Sequence, residues 1–252
     1  MLTIEQIPVL SDNYVHLLHD TTTGATAAMD PAVAEAVLEV LKARGWTLTH
    51  VLNTHHHWDH TGGNEALKRA TGAIVVGAAA DADRLPGLDV GVREGDTFAL
   101  GACTARILAV PGHTRGHIAF WFADAAALFP GDTLFSLGCG RLFEGTPEQM
   151  WDSLQRLRRL PDSTKVYCAH EYTLANAKFA RTVDPDNPAL QRRLAEVERL
   201  RQTRRPTLPA LLGEEKAANP FLRADSQIMQ NTLGLTDPVQ VFAEIRRRKD
   251  FF

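Results

Sequence analysis

One short segment constrains this chain more than any other: His55-His56-His57-Trp58-Asp59-His60, which follows the apolar residues 51–52. In extended backbone successive side chains alternate, so His55 and His57 point to one side and His56 to the other. Asp59 and His60 can turn toward a neighbouring point as the chain enters a helix. Histidine is the commonest metal ligand, and aspartate is another. An accidental histidine-rich loop is disfavoured between an apolar run and a helix, so the segment predicts two ligand pairs for two adjacent metal ions.

Three further candidate ligands each follow an apolar run, where a strand is expected to end. They are His113 in the turn of residues 110–114, Asp132 in the Phe-Pro-Gly-Asp segment of residues 129–132, and His170 after residues 166–169. A lone histidine or aspartate at a strand end is more often structural, but three of them beside segment 55–60 favour a shared site. The seven predicted ligands are His55, His57, Asp59, His60, His113, Asp132 and His170. Nitrogen and oxygen donors of this kind suit zinc, iron or manganese.

The hydrophobic pattern changes character near residue 171. Before it, apolar runs predict strands at Leu2–Val9, Tyr14–Leu18, Thr26–Met29, Thr49–Leu52, Ile74–Val76, Arg106–Val110, Ile118–Phe122, Ala127–Phe129 and Lys165–Cys168. Helical periodicity is clearest at Ala32–Arg44, Gly63–Thr71 and Pro147–Leu160. This mixture predicts a layered α/β protein, sheet against sheet with helices outside. After residue 171, helices are predicted at Tyr172–Val183, Pro188–Arg204, Ser226–Leu233 and Pro238–Lys249.

The composition excludes several classes of protein. Hydrophobic residues at 44% and charged residues at 23% are ordinary for a globular chain, and no apolar run approaches the roughly 18 residues of a membrane span. The first residues show no basic segment followed by an apolar stretch, so no secretory signal is predicted. Three cysteines without framework spacing (Cys103, Cys139 and Cys168) favour a reducing compartment. We therefore expect a cytoplasmic protein without a membrane partner.

The charge pattern has one notable feature, the basic run Arg246-Arg247-Arg248-Lys249. The net charge of −3 does not indicate nucleic-acid binding. Cations in the last turn of a helix interact favourably with the negative end of its dipole. The pattern alone therefore favours a solvated helix end over the alternative, a clamp for an anionic small molecule.

The order and spacing of the seven ligands resemble the metallo-β-lactamase superfamily over residues 1 to about 170. The resemblance implies a four-layer αββα sandwich with its metal site at one edge of the sheets. It also implies one metal held by His55, His57 and His113, and a second held by Asp59, His60 and His170. Asp132 would bridge the two ions, which are expected to be zinc, with iron or manganese as alternatives.

Four later segments resemble the glyoxalase II (hydroxyacylglutathione hydrolase) family. They are residues 138–146, residues 170–173, Asn219-Pro220-Phe221-Leu222-Arg223 and residues 246–250. The resemblance implies a catalytic domain of residues 1–171 and a smaller, mostly helical glutathione-binding domain of residues 172–252. The implied substrate-binding residues are Arg141, Phe143, Tyr172, Arg246 and Lys249. For the basic run of residues 246–249, the resemblance therefore favours a clamp for an anionic small molecule over a solvated helix end. The family commonly has lysine and tyrosine where this chain has Arg141 and Phe143, so glutathione recognition departs from the family pattern there.

The implied reaction is hydrolysis of S-D-lactoylglutathione and other 2-hydroxyacylglutathiones to glutathione and a 2-hydroxy acid such as D-lactate, the second step of methylglyoxal detoxification. A hydroxide bridging two metals would attack the thioester, with Asp59 helping to orient it. The alternatives are another thioester or lactone hydrolase, or an iron-dependent persulfide dioxygenase. A nucleic-acid-processing hydrolase would need a broad basic surface, which the sequence does not show. A non-catalytic binding protein should have lost metal ligands, and this chain has none missing. We expect a monomer with a small-molecule substrate and no nucleic-acid partner.

Overall fold

The computed structural model describes all 252 residues, and its contacts divide the chain into two compact units. Unit 1 comprises residues 1–109 and 116–131, and unit 2 comprises residues 110–115 and 132–252. The chain therefore passes between the units at residues 109/110, 115/116 and 131/132. These units do not coincide with the predicted domains of residues 1–171 and 172–252, and the domain boundary after residue 171 stays a prediction.

Unit 1 contains ten strands and three α-helices. The strands are β1 (Leu2–Val9), β2 (Asn13–Asp20), β3 (Thr26–Met29), β4 (His50–Leu52), β5 (Ile74–Ala78), β6 (Val90–Val92), β7 (Thr97–Leu100), β8 (Cys103–Ala109), β9 (Ile118–Phe122) and β10 (Ala127–Phe129). The helices are α1 (Ala34–Arg44), α2 (Trp58–Thr61) and α3 (Asn64–Thr71). Both longer helices end at a glycine in the left-handed conformation, Gly45 after α1 and Gly72 after α3, as a helix C-terminus favours.

The strands of unit 1 form two sheets. In the first, β1 to β6 lie in sequence order, with antiparallel pairs from β1 to β3 and parallel pairs from β3 to β6. In the second, β7 to β10 form an antiparallel meander. Alternate residues of β1 and β2 pack with α1 and α3 in one buried cluster that includes Val15, Leu17, Val37 and Leu67. One face of the first sheet is therefore covered by helices.

The two sheets of unit 1 contact each other through aromatic side chains. The ring of His16 on β2 meets Phe129 on β10 edge-on, with centroids 5.6 Å apart. His50 on β4 meets Phe98 on β7 in the same way at 5.2 Å. Unit 1 is thus a helix layer and two sheets, and the α/β class expected from the sequence is confirmed.

Unit 2 is mostly helical. Its helices are α4 (Pro147–Arg158), α5 (Thr173–Val183), α6 (Pro188–Gln202), α7 (Leu212–Ala218), α8 (Gln227–Leu233) and α9 (Pro238–Asp250). Its short strands are β11 (Leu134–Phe135), β12 (Gly138–Cys139), β13 (Lys165–Val166) and β14 (Ala210–Leu211), paired antiparallel as β11 with β12 and β13 with β14. Helix α4 begins with a capping box between Thr146 and Gln149, and α6 begins at an asparagine cap. None of the helices is long and apolar enough to cross a membrane.

Helix α7 holds the tight hairpin between β11 and β12. The buried carboxylate of Glu215 accepts hydrogen bonds from the Ser136 hydroxyl and from the Leu137 backbone N–H, each at 2.7 Å. Asn219 donates its amide to the Gly138 carbonyl at 3.0 Å. Burial raises the pKa of Glu215. The hairpin is thus fixed by side chains about 80 residues away along the chain.

Candidate metal centre and substrate pocket

The histidine-rich segment follows β4, as the sequence predicted, and its last residues form the short helix α2, which the sequence did not predict. The His55 side chain is fully buried, and its Nε2 lies 3.1 Å from Nδ1 of His57. The His55 and His60 rings are 4.1 Å apart between centroids, and His60 Nε2 lies 3.6 Å from a carboxylate oxygen of Asp59. Unit 1 therefore gathers four of the predicted ligands into one compact group.

Neighbouring side chains hold this group in place. Buried Asp30 accepts hydrogen bonds from the backbone N–H and hydroxyl of Thr54, at 2.8 and 2.7 Å, and lies 3.2 Å from Nδ1 of His60. The ring of His117 stacks on His55 with centroids 4.6 Å apart. Sequence reasoning missed Asp30, although its place directly after β3 resembles that of the predicted ligands. Residues behind metal-ligating histidines commonly orient them in this way.

His56 faces away from the group, toward another carboxylate. Its Nδ1 lies 3.2 Å from Asp81, which also pairs with Arg84 at 2.5 Å. The alternation of side chains along the segment therefore places His56 where the sequence expected it.

Unit 2 gathers the other three predicted ligands around Asp132. One carboxylate oxygen of Asp132 lies 3.4 Å from His113 Nε2, and the other lies 3.4 Å from His170 Nε2. His113 Nδ1 lies 2.9 Å from the Arg141 carbonyl, which can only accept a hydrogen bond. His113 therefore donates from Nδ1 and keeps Nε2 as an acceptor, which is the tautomer a metal ligand needs.

The donor chemistry fits divalent metal ions. Each of the seven predicted ligands belongs to one of two groups of His and Asp side chains, four of them in unit 1 and three in unit 2. Five imidazoles and two carboxylates supply only nitrogen and oxygen, and no cysteine belongs to these groups. Such donors suit zinc and related transition metals, so the clusters support binding of divalent metal ions.

A cavity of about 440 Å³ lies in unit 2 beside this second donor group. Its walls are formed by His113, Asp132, Phe135, Cys139, Gly140, Arg141, Phe143, Tyr172, Ala175, Asn176, Arg246 and Lys249. All five predicted substrate-binding residues are therefore among the residues of one cavity. Sequence reasoning missed Phe135, Ala175 and Asn176, which carry no recognisable motif.

The aromatic residues of the cavity contact the donor group directly. Tyr172 stacks face to face on His170, with centroids 4.6 Å apart and ring planes 6° apart. The Phe143 ring meets His113 at 5.2 Å and is 62% exposed. The cavity and the candidate ligands of unit 2 thus share one aromatic wall.

The basic run divides into two pairs with different environments. Arg247 and Arg248 extend into solvent and pair with Glu244 at 2.8 Å. Arg246 is buried, donates to the Cys139 carbonyl at 2.8 Å and pairs with Asp250 at 2.9 Å. The solvated-end interpretation therefore holds for Arg247 and Arg248 alone.

Lys249 reaches the cavity between two aromatic rings, 5.4 Å from the centroid of Phe179 and 5.2 Å from that of Phe252. Burial lowers the pKa of Lys249, and the charges of Arg246 and Arg141 lower it further. Arg141 is more open, with a side chain 65% exposed that lies 3.8 Å from Asp250. One end of the cavity therefore carries three cations, partly balanced by the Asp250 carboxylate.

Cys139 lies in the cavity wall without the properties of a nucleophile. Its thiol is buried, and burial raises its pKa to about 11. A thiol in this state holds its proton at neutral pH and reacts slowly. The environment of Cys139 therefore does not support a role as a catalytic nucleophile.

Two family models together match almost the whole chain. Residues 16–170 match the metallo-β-lactamase superfamily, and residues 171–252 match the hydroxyacylglutathione hydrolase C-terminus. A hydroxyacylglutathione hydrolase from Methylococcus capsulatus is 64% identical, with 100% of this chain and 99% of that protein covered. One from Rhodospirillum rubrum is 58% identical with the same coverage.

Solved structures agree with these matches. ETHE1 from Myxococcus xanthus has a TM-score of 0.72 and 30% sequence identity, covering 97% of this chain and 90% of that one. TTHA1623, solved in a di-iron-bound form, has a TM-score of 0.57 and 26% identity, covering 67% of this chain and 91% of that one. The metallo-β-lactamase fold expected from the sequence is thereby confirmed, together with the helical region that follows it.

Proposed function

This chain belongs to the hydroxyacylglutathione hydrolases of the metallo-β-lactamase superfamily, and we propose that it hydrolyses S-D-lactoylglutathione and other 2-hydroxyacylglutathiones to glutathione and a 2-hydroxy acid. The observation that carries the substrate assignment is the cavity of unit 2. His113 and Asp132 lie in its wall together with the cations Arg141, Arg246 and Lys249. A glutathione thioester has the matching layout, a reactive carbonyl on one side and peptide carboxylates on the other.

The charge at the basic end supports this substrate class. Glutathione carries two carboxylates, and cations partly shielded from water attract carboxylates more strongly than fully solvated ones do. We propose that Arg141 and Lys249 contact these carboxylates, while buried Arg246 fixes the cavity wall through Cys139 and Asp250. Tyr172 and Phe143 would pack along the peptide. The substitution of arginine for lysine at position 141 keeps the charge and offers a planar, two-pronged donor.

The metal ligands are proposed as the sequence implied them. His55, His57 and His113 would hold one ion, Asp59, His60 and His170 the other, and Asp132 would bridge them. When bound, two such ions make hydroxide available near neutral pH and polarise the thioester carbonyl. The donor set suits zinc, and the di-iron form of the similar TTHA1623 is a reason to measure iron and manganese as well.

The chain's own groups have defined tasks in this proposal. Asp132 faces imidazoles with both carboxylate oxygens, the arrangement a bridging ligand needs. Asp59 would orient the attacking hydroxide. Cleavage of the C–S bond releases a thiolate, and because a thiol has a pKa of about 8.5 the thiolate leaves without a proton donor. The reaction therefore requires no general acid in the cavity.

The test is steady-state hydrolysis of S-D-lactoylglutathione by the metal-loaded protein, compared with a plain acyl thioester that lacks glutathione. We expect a kcat/KM at least about 100-fold higher for the glutathione thioester, because a substrate without the two carboxylates forgoes several kcal/mol of charge-assisted hydrogen bonding. Equal activity on both would remove the glutathione assignment. Activity on a lactone alone, or oxygen consumption with a persulfide, would replace it with one of the two alternatives.

We also propose that the protein acts as a cytoplasmic monomer whose partner is a small molecule, without nucleic acid or a membrane. The three free cysteines and the net charge of −3 support this proposal. Residues 172–252 would serve as the glutathione-binding domain after a catalytic domain of residues 1–171. Light scattering on the purified protein would test the oligomeric state, and a dimeric mass would contradict it.

A further inference from the structure

A buried asparagine at the start of β2 reaches the histidine-rich segment. Asn13 is 6% exposed and pairs with Val9 as the last pair of the β1–β2 hairpin. The connecting turn begins at Leu10, whose φ of 52° is in the left-handed region. All eight residues of each strand are paired, so the position of Asn13 is fixed by two strands and not by a mobile loop.

The amide of Asn13 holds Asp59 at two points. Its Nδ2 donates to the Asp59 carboxylate at 3.1 Å and to the Asp59 backbone carbonyl at 3.2 Å. Asp59 lies in α2, which has only four residues, and His57 directly before the helix gives it no side-chain cap. A helix this short does not maintain its own geometry. The direction of the Asp59 carboxylate therefore depends on groups outside the helix, and Asn13 supplies one of them from a paired strand.

We propose that Asn13 is a positioning residue that sets the affinity for the second metal ion by holding Asp59. This inference rests on the proposed function, in which Asp59 ligates that ion. An amide suits the task because it donates hydrogen bonds to a carboxylate without neutralising its charge, so Asp59 keeps its full attraction for a cation. If Asn13 only closed the hairpin, replacing it would leave the affinity for metal ions unchanged.

The test measures metal affinity in Asn13→Ala and Asn13→Asp, by competition with a chromophoric chelator and by metal content after dialysis. We expect the weaker of two zinc ions to bind about 10- to 100-fold less tightly in both variants, the usual effect of losing a group behind a ligand. Asn13→Asp keeps the size of the side chain and places a carboxylate against Asp59, so it reports on the contact even if the alanine variant folds poorly. Gln6→Ala is the matched control, because Gln6 lies in the same hairpin but faces His16.

A second set of variants separates positioning from general stability. In an Asp59→Asn background, Asn13→Ala should change zinc affinity by less than about twofold, because the group it positions is already altered. Full additivity of the two effects, or unchanged affinity in both Asn13 variants, would overturn the proposal. A wild-type protein that binds a single ion overturns it together with the binuclear centre. If the wild-type protein binds two ions but does not hydrolyse S-D-lactoylglutathione, only the substrate assignment is overturned.

Discussion

His170 and Tyr172 stack almost parallel, with ring centroids 4.6 Å apart and planes 6° apart. One is a proposed metal ligand and the other a proposed glutathione contact. Because a stacked pair restricts both rings, a change to the tyrosine can act on substrate binding and on the metal site separately. The two effects can be resolved by comparing substitutions that keep or remove the ring.

Tyr172→Phe keeps the stacked ring and removes only the hydroxyl. We expect KM for S-D-lactoylglutathione to rise about two- to tenfold, the value of one hydrogen bond, with metal content unchanged. Tyr172→Ala removes the ring as well, so it should also lower metal retention during dialysis. Equal metal loss in both variants would contradict the assignment of separate roles to the ring and the hydroxyl.

Lys249→Ala should mainly raise KM for the glutathione thioester, by about tenfold, with kcat within about twofold of wild type. The physical reason is the loss of a half-buried cation from the basic end of the cavity. Arg248→Ala is the matched control, because Arg248 lies one residue away and pairs with Glu244 in solvent. The measurement is steady-state kinetics of both variants. If their KM values are alike, Lys249 does not belong to the substrate-binding residues.

Phe143→Tyr should restore the hydroxyl donor that this family commonly has at that position. The ring is 62% exposed at the edge of the cavity, so the added hydroxyl costs no buried volume. We expect KM to fall about two- to fivefold, with no change for a thioester that lacks glutathione. A fall for both substrates would mean that the hydroxyl acts on the reaction centre instead.

His57→Ala should abolish turnover and reduce bound metal from two ions to about one for each chain. His57 contacts His55 at 3.1 Å, so a cation shared by the two rings loses one of its ligands. Elemental analysis beside kinetics gives the check, with His56→Ala as the comparison, since His56 faces Asp81. Full activity of the wild type with one firmly bound ion would contradict the binuclear centre.

Buried His16 should make the protein acid-sensitive. Burial lowers the pKa of His16 to about 3, below the ordinary value of 6.5. The unfolded chain therefore binds the extra proton first, so this contribution to stability is present above pH 6.5 and is lost as the pH falls toward 3. The loss is about 1 kcal/mol over the first pH unit below 6.5 and approaches about 1.4 kcal/mol for each further unit.

His16→Gln removes the titrating group and keeps a donor toward Gln6. Urea unfolding at pH 6.5 and pH 5.5 should show the wild type losing about 1 kcal/mol more than the variant. Other histidines contribute equally to both proteins, so they cancel in the comparison. The same pH dependence in both would show that His16 is not responsible for acid sensitivity.

Periodicity was a good guide wherever an element was long or carried a clear terminator. Strands β1, β3, β9 and β10 have the predicted bounds, and α4 starts at Pro147 as expected. The prediction missed β7, although Thr97–Leu100 alternates exposed and buried residues. It also missed β6, which has three residues, and β11, β12 and β14, which have two residues each. Strands this short exist because of their pairing partners, and no local pattern specifies those.

The sequence predicted the proposed metal ligands of the candidate site, but not the residues that hold the site in place. Strand ends indicated all seven proposed ligands, since polar residues that follow an apolar run are visible in the sequence. The groups behind them were not visible: Asn13 reaches Asp59 across 46 residues, and Glu215 reaches Leu137 across 78. Such contacts follow from tertiary structure, so a single sequence carries no spacing from which to infer them.

The three crossings of the chain between the units bear on its synthesis. Unit 1 is complete in sequence once residue 131 has left the ribosome, so strands β1 to β10 can pair while the rest of the chain is still being translated. Unit 2 begins at residue 110, yet Arg246 on α9 closes onto Cys139 across 107 residues. The cavity wall is therefore assembled among the last parts of the protein, and a nascent chain stalled before α9 would expose an unfinished pocket.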